Sequence, residues 1–449
     1  MKIKSLFLGS VAAAGLSTGA FAADLGVLTS LNVCDALGLS GLTIASDTNC
    51  LQITGEVKYT FEWGDYSDEG LVGETGAEGP AYLVETADGI FSTPVSDHFF
   101  DWNSRVDAWI KFVATADSDF GPAKAVIKIK ETQRVRYRNS DEPDQGSDTE
   151  ANDIWNFDEA YVSVGDSTIL MAGKKGTIMK FSEDEPLNFL GLFNSSKVDA
   201  GVKWSDEANN FLGDGGHVIQ VVSDLGNGVS VGVGLENLAD KTYEEAGTAV
   251  GVVSYAGDGI AAHVTVAAGG ILDGTVEAWG VHAGFAGTFD IVKIVAAIAA
   301  DDTGYWNALA SASASFDMFT IALSGEVAQN TLTSGDGTDT LDYGVGGSVG
   351  AAVTDGVSIN LGGRWYHDES TDNDGWQAAV QLVAAVTETV TLTAEVGAFG
   401  NDLGNEANTM YGAATAAWAP GGGFTSSLKG EVYGNGAYKA TFKAAKTFE

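Results

Sequence analysis

The stretch Leu51-Gln52-Ile53-Thr54-Gly55-Glu56-Val57-Lys58-Tyr59-Thr60-Phe61-Glu62-Trp63 sorts its residues by parity. Odd positions carry Leu, Ile, Gly, Val, Tyr, Phe and Trp, and even positions carry only Gln, Thr, Glu and Lys. Successive side chains of a strand point to opposite faces, so this segment reads as a strand with one apolar and one charged face. The same pattern returns downstream, where Val357, Ile359, Leu361 and Trp365 alternate with Ser358, Asn360, Arg364 and Tyr366. From Gly216 to the end the chain falls into alternating segments of about 9 to 13 residues, joined by connections that are in turn tight and long. The tight ones carry turn residues: Gly226-Asn227-Gly228, Gly257-Asp258-Gly259, Ala286-Gly287-Thr288, Thr354-Asp355-Gly356 and Pro420-Gly421-Gly422-Gly423. No helical period is visible.

In a soluble sandwich the apolar face would carry large side chains packed on a second sheet. Here Ala308 to Phe316 and Gly344 to Val353 put mostly Ala, Gly and Val on that face, which suits lipid contact better. Trp63, Tyr255, Trp279, Trp306, Trp365, Trp418 and Tyr433 fall near strand ends, where aromatic girdles meet the membrane interface. The reading is an all-β fold, a transmembrane antiparallel up-and-down β-barrel of 16 to 20 strands. Segments near 51–63, 99–117, 122–139, 155–165 and 167–176, followed by seven hairpins and a last strand, favour about twenty.

Composition agrees. Of 449 residues, 45% are hydrophobic and 10% aromatic, too many for a disordered acidic chain. A net charge of −38 disfavours nucleic acid, which is held by clustered cations. Lys2 and Lys4, the apolar Leu6 to Leu16 and the small-x-small Ala20-Phe21-Ala22 form a secretory signal. No later run nears the roughly 18 apolar residues of a spanning helix. The expected organisation is therefore a signal peptide over 1–22, an N-terminal periplasmic segment over 23–50 and a barrel over 51–449. Cys34 and Cys50, the only cysteines of an exported chain, are expected to form a disulfide. The five histidines are scattered along the sequence, so a metal centre is not expected. No catalytic residues and no cofactor are expected either, since no histidine has a nucleophile beside it.

The polar face carries the candidate function. In Lys124 to Arg138, Lys124, Lys128, Lys130, Arg134, Arg136 and Arg138 all occupy even positions, so on a strand they share one face. Cations aimed at lipid cost several kcal/mol, so these face an aqueous lumen. Arg105 and Lys111 on the preceding strand join them, as do Lys58 on the first and Lys429, Lys439 and Lys443 on the last two. A closed barrel brings these strands side by side, and the twelve residues form one basic pore wall. Across from it, the segment Thr177 to Lys197 carries Phe181, Leu187, Phe189, Leu190, Leu192 and Phe193 around Glu183, Asp184 and Glu185. Folded inward as a constriction loop, it would set carboxylates against the cations and create a transverse field.

The chain resembles the alphaproteobacterial general porins of the Gram-negative outer membrane. The resemblance lies in the start MKIKSLFLGS, in Val33-Cys34-Asp35-Ala36 with Cys50-Leu51-Gln52-Ile53-Thr54-Gly55-Glu56-Val57, in Ala160-Tyr161-Val162-Ser163-Val164-Gly165, and in a last strand ending on an aromatic. It implies a homotrimeric, water-filled barrel, usually of sixteen strands, set in outer-membrane lipid and lipopolysaccharide, whose third loop narrows a pore for small hydrophilic solutes. Two departures stand out: the chain is longer than usual, and Glu449 follows Phe448. The alternatives are a substrate-selective outer-membrane channel for sugars or anions and a secreted acidic Ca²⁺-binding β-protein. The latter lacks a regular ligand repeat, although acidic outer loops are expected to bind Ca²⁺ weakly.

Overall fold

The computed structural model describes residues 33–34, 37–65, 101–137, 148–151, 155–181, 202–239, 246–330, 340–369, 372–401, 409–434 and 436–449. Alternation of the kind seen in residues 51–63 produces strands throughout. They are β1 (Thr43–Ala45), β2 (Cys50–Asp65), β3 (Asp101–Ala116), β4 (Ala123–Tyr137), β5 (Asp148–Ala151), β6 (Asn156–Gly165), β7 (Thr168–Gly176), β8 (Gly215–Gly226), β9 (Val229–Glu236), β10 (Thr248–Gly257) and β11 (Ile260–Gly269). There follow β12 (Ala278–Phe289), β13 (Val292–Asp301), β14 (Trp306–Phe316), β15 (Phe319–Asn330), β16 (Thr340–Thr354), β17 (Val357–Asp368), β18 (Asn373–Ala385), β19 (Val390–Asn401), β20 (Thr409–Gly421), β21 (Phe424–Tyr433) and β22 (Tyr438–Phe448).

The short β1 and β5 are additions to the edges of β2 and β4. The other strands each pair antiparallel with the next, and β22 returns to β2 in a ladder from Gly55↔Phe448 to Asp65↔Tyr438. The result is a closed antiparallel barrel of 20 strands. Its outer face is apolar and uncovered: Val57 is 50% exposed, Leu323 62% and Val396 59%. A ring of such residues is a lipid-facing surface, so the barrel is an integral membrane fold.

Most expected reversals are present. Asn227 and Asp258 take left-handed φ values of 53° and 52°, a conformation that Asn and Asp tolerate in tight hairpins. Ala286-Gly287-Thr288 is not a turn. It lies inside β12, paired with Val295, Ile294 and Lys293, and the chain reverses instead at Asp290 (φ 56°). Tyr433 is not part of a girdle either. It is buried beside Tyr411, because it shares the parity of the inward-facing Lys429 and Glu431.

At the short-turn rim, Cys34 and Cys50 form the expected disulfide. The segment it encloses lies along β2 beyond the end of β22. Thr43, Ile44 and Ala45 pair with Gln52, Leu51 and Cys50, and the Ile53 amide donates to the Leu42 carbonyl. The N-terminal segment therefore extends the line of the last strand along the same edge of β2. Gly41 has room only for a hydrogen there, since a Cβ would lie 2.9 Å from the Glu449 carbonyl carbon.

Candidate functional site: a charged wall and an inward segment

Register places the predicted cations together. On β2 and β3, Lys58 is opposite Asp107, Thr60 opposite Arg105 and Thr54 opposite Lys111. On β3 and β4, Arg105 is opposite Arg134, Trp109 opposite Lys130, Lys111 opposite Lys128, Thr115 opposite Lys124 and Asn103 opposite Arg136. Lys443 and Lys439 of β22 meet Thr60 and Gly64, and Lys429 of β21 meets Thr441. The opposite face of these strands carries the exposed Val57, Val106, Ile127, Leu428 and Phe442. Lys58, Arg105, Lys111, Lys124, Lys128, Lys130, Arg134, Lys429, Lys439 and Lys443 therefore face the lumen from five neighbouring strands. Arg138, Glu183, Asp184 and Glu185 lie outside the described residues, as does the signal segment.

The wall is not purely basic. Arg105 Nε lies 2.9 Å from Asp107 Oδ1, Lys111 Nζ 2.8 Å from Glu159 Oε2, and Lys429 Nζ 2.8 Å from Glu431 Oε1. Lys128 and Lys130 reach Asp158 at 2.6 and 2.7 Å, and Lys439 lies 3.6 Å from Glu62. Asn103 donates to Glu62 at 2.9 Å and accepts from Arg134 at 3.2 Å. Lys128 also stands 5.1 Å over the Trp109 ring, an added cation–π contact. Around the ring the lattice continues through Arg364, Gln377, Tyr411, Glu395 and Gln381. Arg364 Nη2 donates to Gln377 Oε1 at 2.9 Å, and Tyr411 and Gln381 donate to the two Glu395 oxygens at 2.8 and 2.9 Å.

Sequence reasoning missed Asp158 because it assumed unbroken alternation. A signal was present: the outward apolar residues run Phe157, then Ala160, Val162 and Val164, a one-residue change of phase. In the structure this is a β-bulge, with Lys128 opposite Glu159 and Ile129 opposite Phe157. It turns two consecutive carboxylates to the same side.

The inward segment is longer than predicted. After β7 the chain turns into the lumen over Thr177–Phe181, and residues 202–212 complete the insertion with a short helix, α1 (Asp206–Leu212). Met179, Val202, Trp204, Ala208 and Leu212 pack on Val250, Val252, Ala267, Val295, Ala297, Ala299 and Leu309, with Ile178 and Phe181 against them. These wall residues are apolar because the segment covers them. In β13 both parities are apolar (Val292, Ile294, Val295, Ala296, Ala297, Ile298), which fits a strand with lipid outside, where Ile298 is 51% exposed, and the packed segment inside.

Polar contacts fix the segment's height. Glu236 Oε1 accepts from the Ile178 amide at 3.0 Å and from Gln220 Nε2 at 2.8 Å. Lys180 Nζ donates to Ser254 at 2.9 Å, and Trp204 Nε1 to the Val281 carbonyl at 3.0 Å. The indole lies on Gly280, where a Cβ would come within 2.4 Å of it. Ser205 donates its amide to Asp301 at 2.8 Å, and its hydroxyl accepts from the Ala208 amide at 3.2 Å, an N-cap for α1. Two of the scattered histidines also meet here. His263 Nε2 and His282 Nδ1 are 3.1 Å apart, with Phe181 edge-on to His282 at 4.9 Å. The segment thus rests on β10 to β14, and β13 stands half-way round the ring from β2, the middle of the charged wall.

No family model and no curated protein matches the sequence. Among solved structures, an anion-selective porin from Comamonas acidovorans is 14% identical, with TM-score 0.37, over 89% of this chain and all of that one. OccK11 (OpdR) of Pseudomonas aeruginosa is 10% identical, with TM-score 0.45, over 89% of this chain and 96% of its own. OccAB4 of Acinetobacter baumannii is also 10% identical with TM-score 0.45, over 89% and 98%. The assignment to a membrane barrel rests on this chain's own closed pairing and apolar exterior.

Proposed function

We propose that this protein is an outer-membrane porin, a water-filled channel for passive diffusion of small hydrophilic solutes and ions, and not an enzyme. The observation that carries this is the union of a lipid-facing exterior with a charged, half-buried interior in one closed ring of 20 strands. Eight strands suffice to fill an interior with side chains and 16 to 18 leave an aqueous channel, so a ring of this size needs something inside it to narrow the passage. The inward segment supplies it, on the side facing the basic wall.

The general-diffusion reading, of the alphaproteobacterial kind, is favoured over a sugar-selective one by the state of the interior aromatics. Tyr411 and Tyr433 are each 8% exposed and Phe399 and Tyr366 fully buried, while Trp109 and Tyr161 each lie beneath a lysine ammonium, so among the described residues these rings form no open track along which a sugar could slide. We further propose a homotrimer in contact with lipopolysaccharide, and weak Ca²⁺ binding by the acidic outer loops. The test is reconstitution of the purified chain into planar bilayers. Open, weakly selective conductance with swelling of vesicles by several unrelated small solutes is the expected result. A closed bilayer at high protein load, or passage restricted to one solute class, would reject the reading.

A further inference from the structure

On a regular strand Asp158 and Glu159 would point to opposite faces. The bulge in β6 cancels that alternation, and the two carboxylates reach three lysines on two other strands: Asp158 to Lys128 and Lys130 of β4, and Glu159 to Lys111 of β3. All three contacts lie between 2.6 and 2.8 Å, the range of charge-assisted bonds. The groups are half-buried rather than sealed, and Lys130 is 56% exposed, so the cluster meets the aqueous interior. We propose that the bulged pair Asp158–Glu159 sets the ion preference of the pore, by cancelling the charge at the centre of the cationic wall. The inference rests on the channel reading.

Three lysines against two carboxylates leave one net positive charge, where a bulge-free strand bearing a single inward acid would leave two. Lys124 toward the short turns and Arg134 toward the long loops, which form no ion pair among the described residues, lie on either side along β4. The bulge thus divides an anion-attracting ladder into two weaker patches with a near-neutral middle. Because the groups are wetted, their field decays over a Debye length of about 10 Å at 0.1 M salt and about 3 Å at 1 M. The effect on permeation is therefore largest at low ionic strength.

The experiment is the reversal potential of the full chain in a planar bilayer under a KCl gradient, for the parent and for Asp158→Asn with Glu159→Gln. The double variant is expected to raise the chloride-to-potassium permeability ratio several-fold at 0.1 M mean salt, with the difference shrinking at 1 M. Asp158→Glu, which keeps the charge, should hold the parental ratio. Should the double variant fail to assemble, shown by loss of the compact heat-modifiable form, Asp158→Asn alone frees Lys128 and Lys130 and gives the same reading at smaller size. Conducting variants with the parental ratio overturn this inference and leave the channel reading standing. A parent that never conducts overturns both.

Discussion

Glu236 closes β9 fully buried, and two donors from different parts of the chain converge on its Oε1: the Ile178 amide and the Gln220 side chain. A typical hydrogen bond contributes about 0.5–1.5 kcal/mol net, so the two on this one oxygen tie the start of the inward segment to the wall. Glu236→Ala is expected to raise single-channel conductance and add flicker, as the segment loses its anchor. Glu236→Gln, which still accepts, should remain near the parent. Equal conductance in all three would mean that apolar packing alone holds the segment. The predicted cations were legible at this scale because lipid excludes them from the outer face. Asp158 was not, because its direction depends on a bulge that only pairing with β4 defines. The His263–His282 contact was likewise hidden, since strand register alone brings residues nineteen apart to 3.1 Å.

Among the elements, β1 and its disulfide occupy a special place: the edge of β2 that β22 does not reach. An enclosed loop of about 15 residues corresponds to roughly 3 kcal/mol in the chain-entropy view of cross-linking. Replacing Cys34 and Cys50 by Ser is expected to lower the temperature at which the compact barrel converts to the unfolded form on a gel. The parent heated with reductant should shift the same way. A conversion temperature unchanged by either treatment would show that β1 is held by its strand pairing alone. The bond was readable from two cysteines in an exported chain, but the docking of the loop beside Glu449 was not, because it needs both ends of the chain in one place.

At the scale of the whole molecule, closure converts a net charge of −38 into a pattern. Five neighbouring strands carry the cations of the basic wall, and the inward segment stands on the opposite arc. In the proposed channel, Lys130→Glu with Arg134→Glu should move the reversal potential toward cation selectivity, since both residues face the lumen from β4. An unchanged potential would place that part of the wall away from the narrow passage. The acidic outer connections belong to the same scale: added Ca²⁺ should raise the conversion temperature of the assembled protein and chelator should lower it. Indifference to both would end the proposal of calcium binding.

By itself the sequence determined the strands, their two faces, their number to within the range of 16 to 20 and the disulfide. These follow from local alternation, from turn residues and from the cost of placing charge in lipid. Only the tertiary structure decided that the ring closes at 20, that part of its inner wall is apolar beneath α1 and Trp204, and that carboxylates interrupt the basic wall. The physical reason is that parity assigns a face, whereas closure, register and bulges assign neighbours, and the interior chemistry of a barrel is made by neighbours.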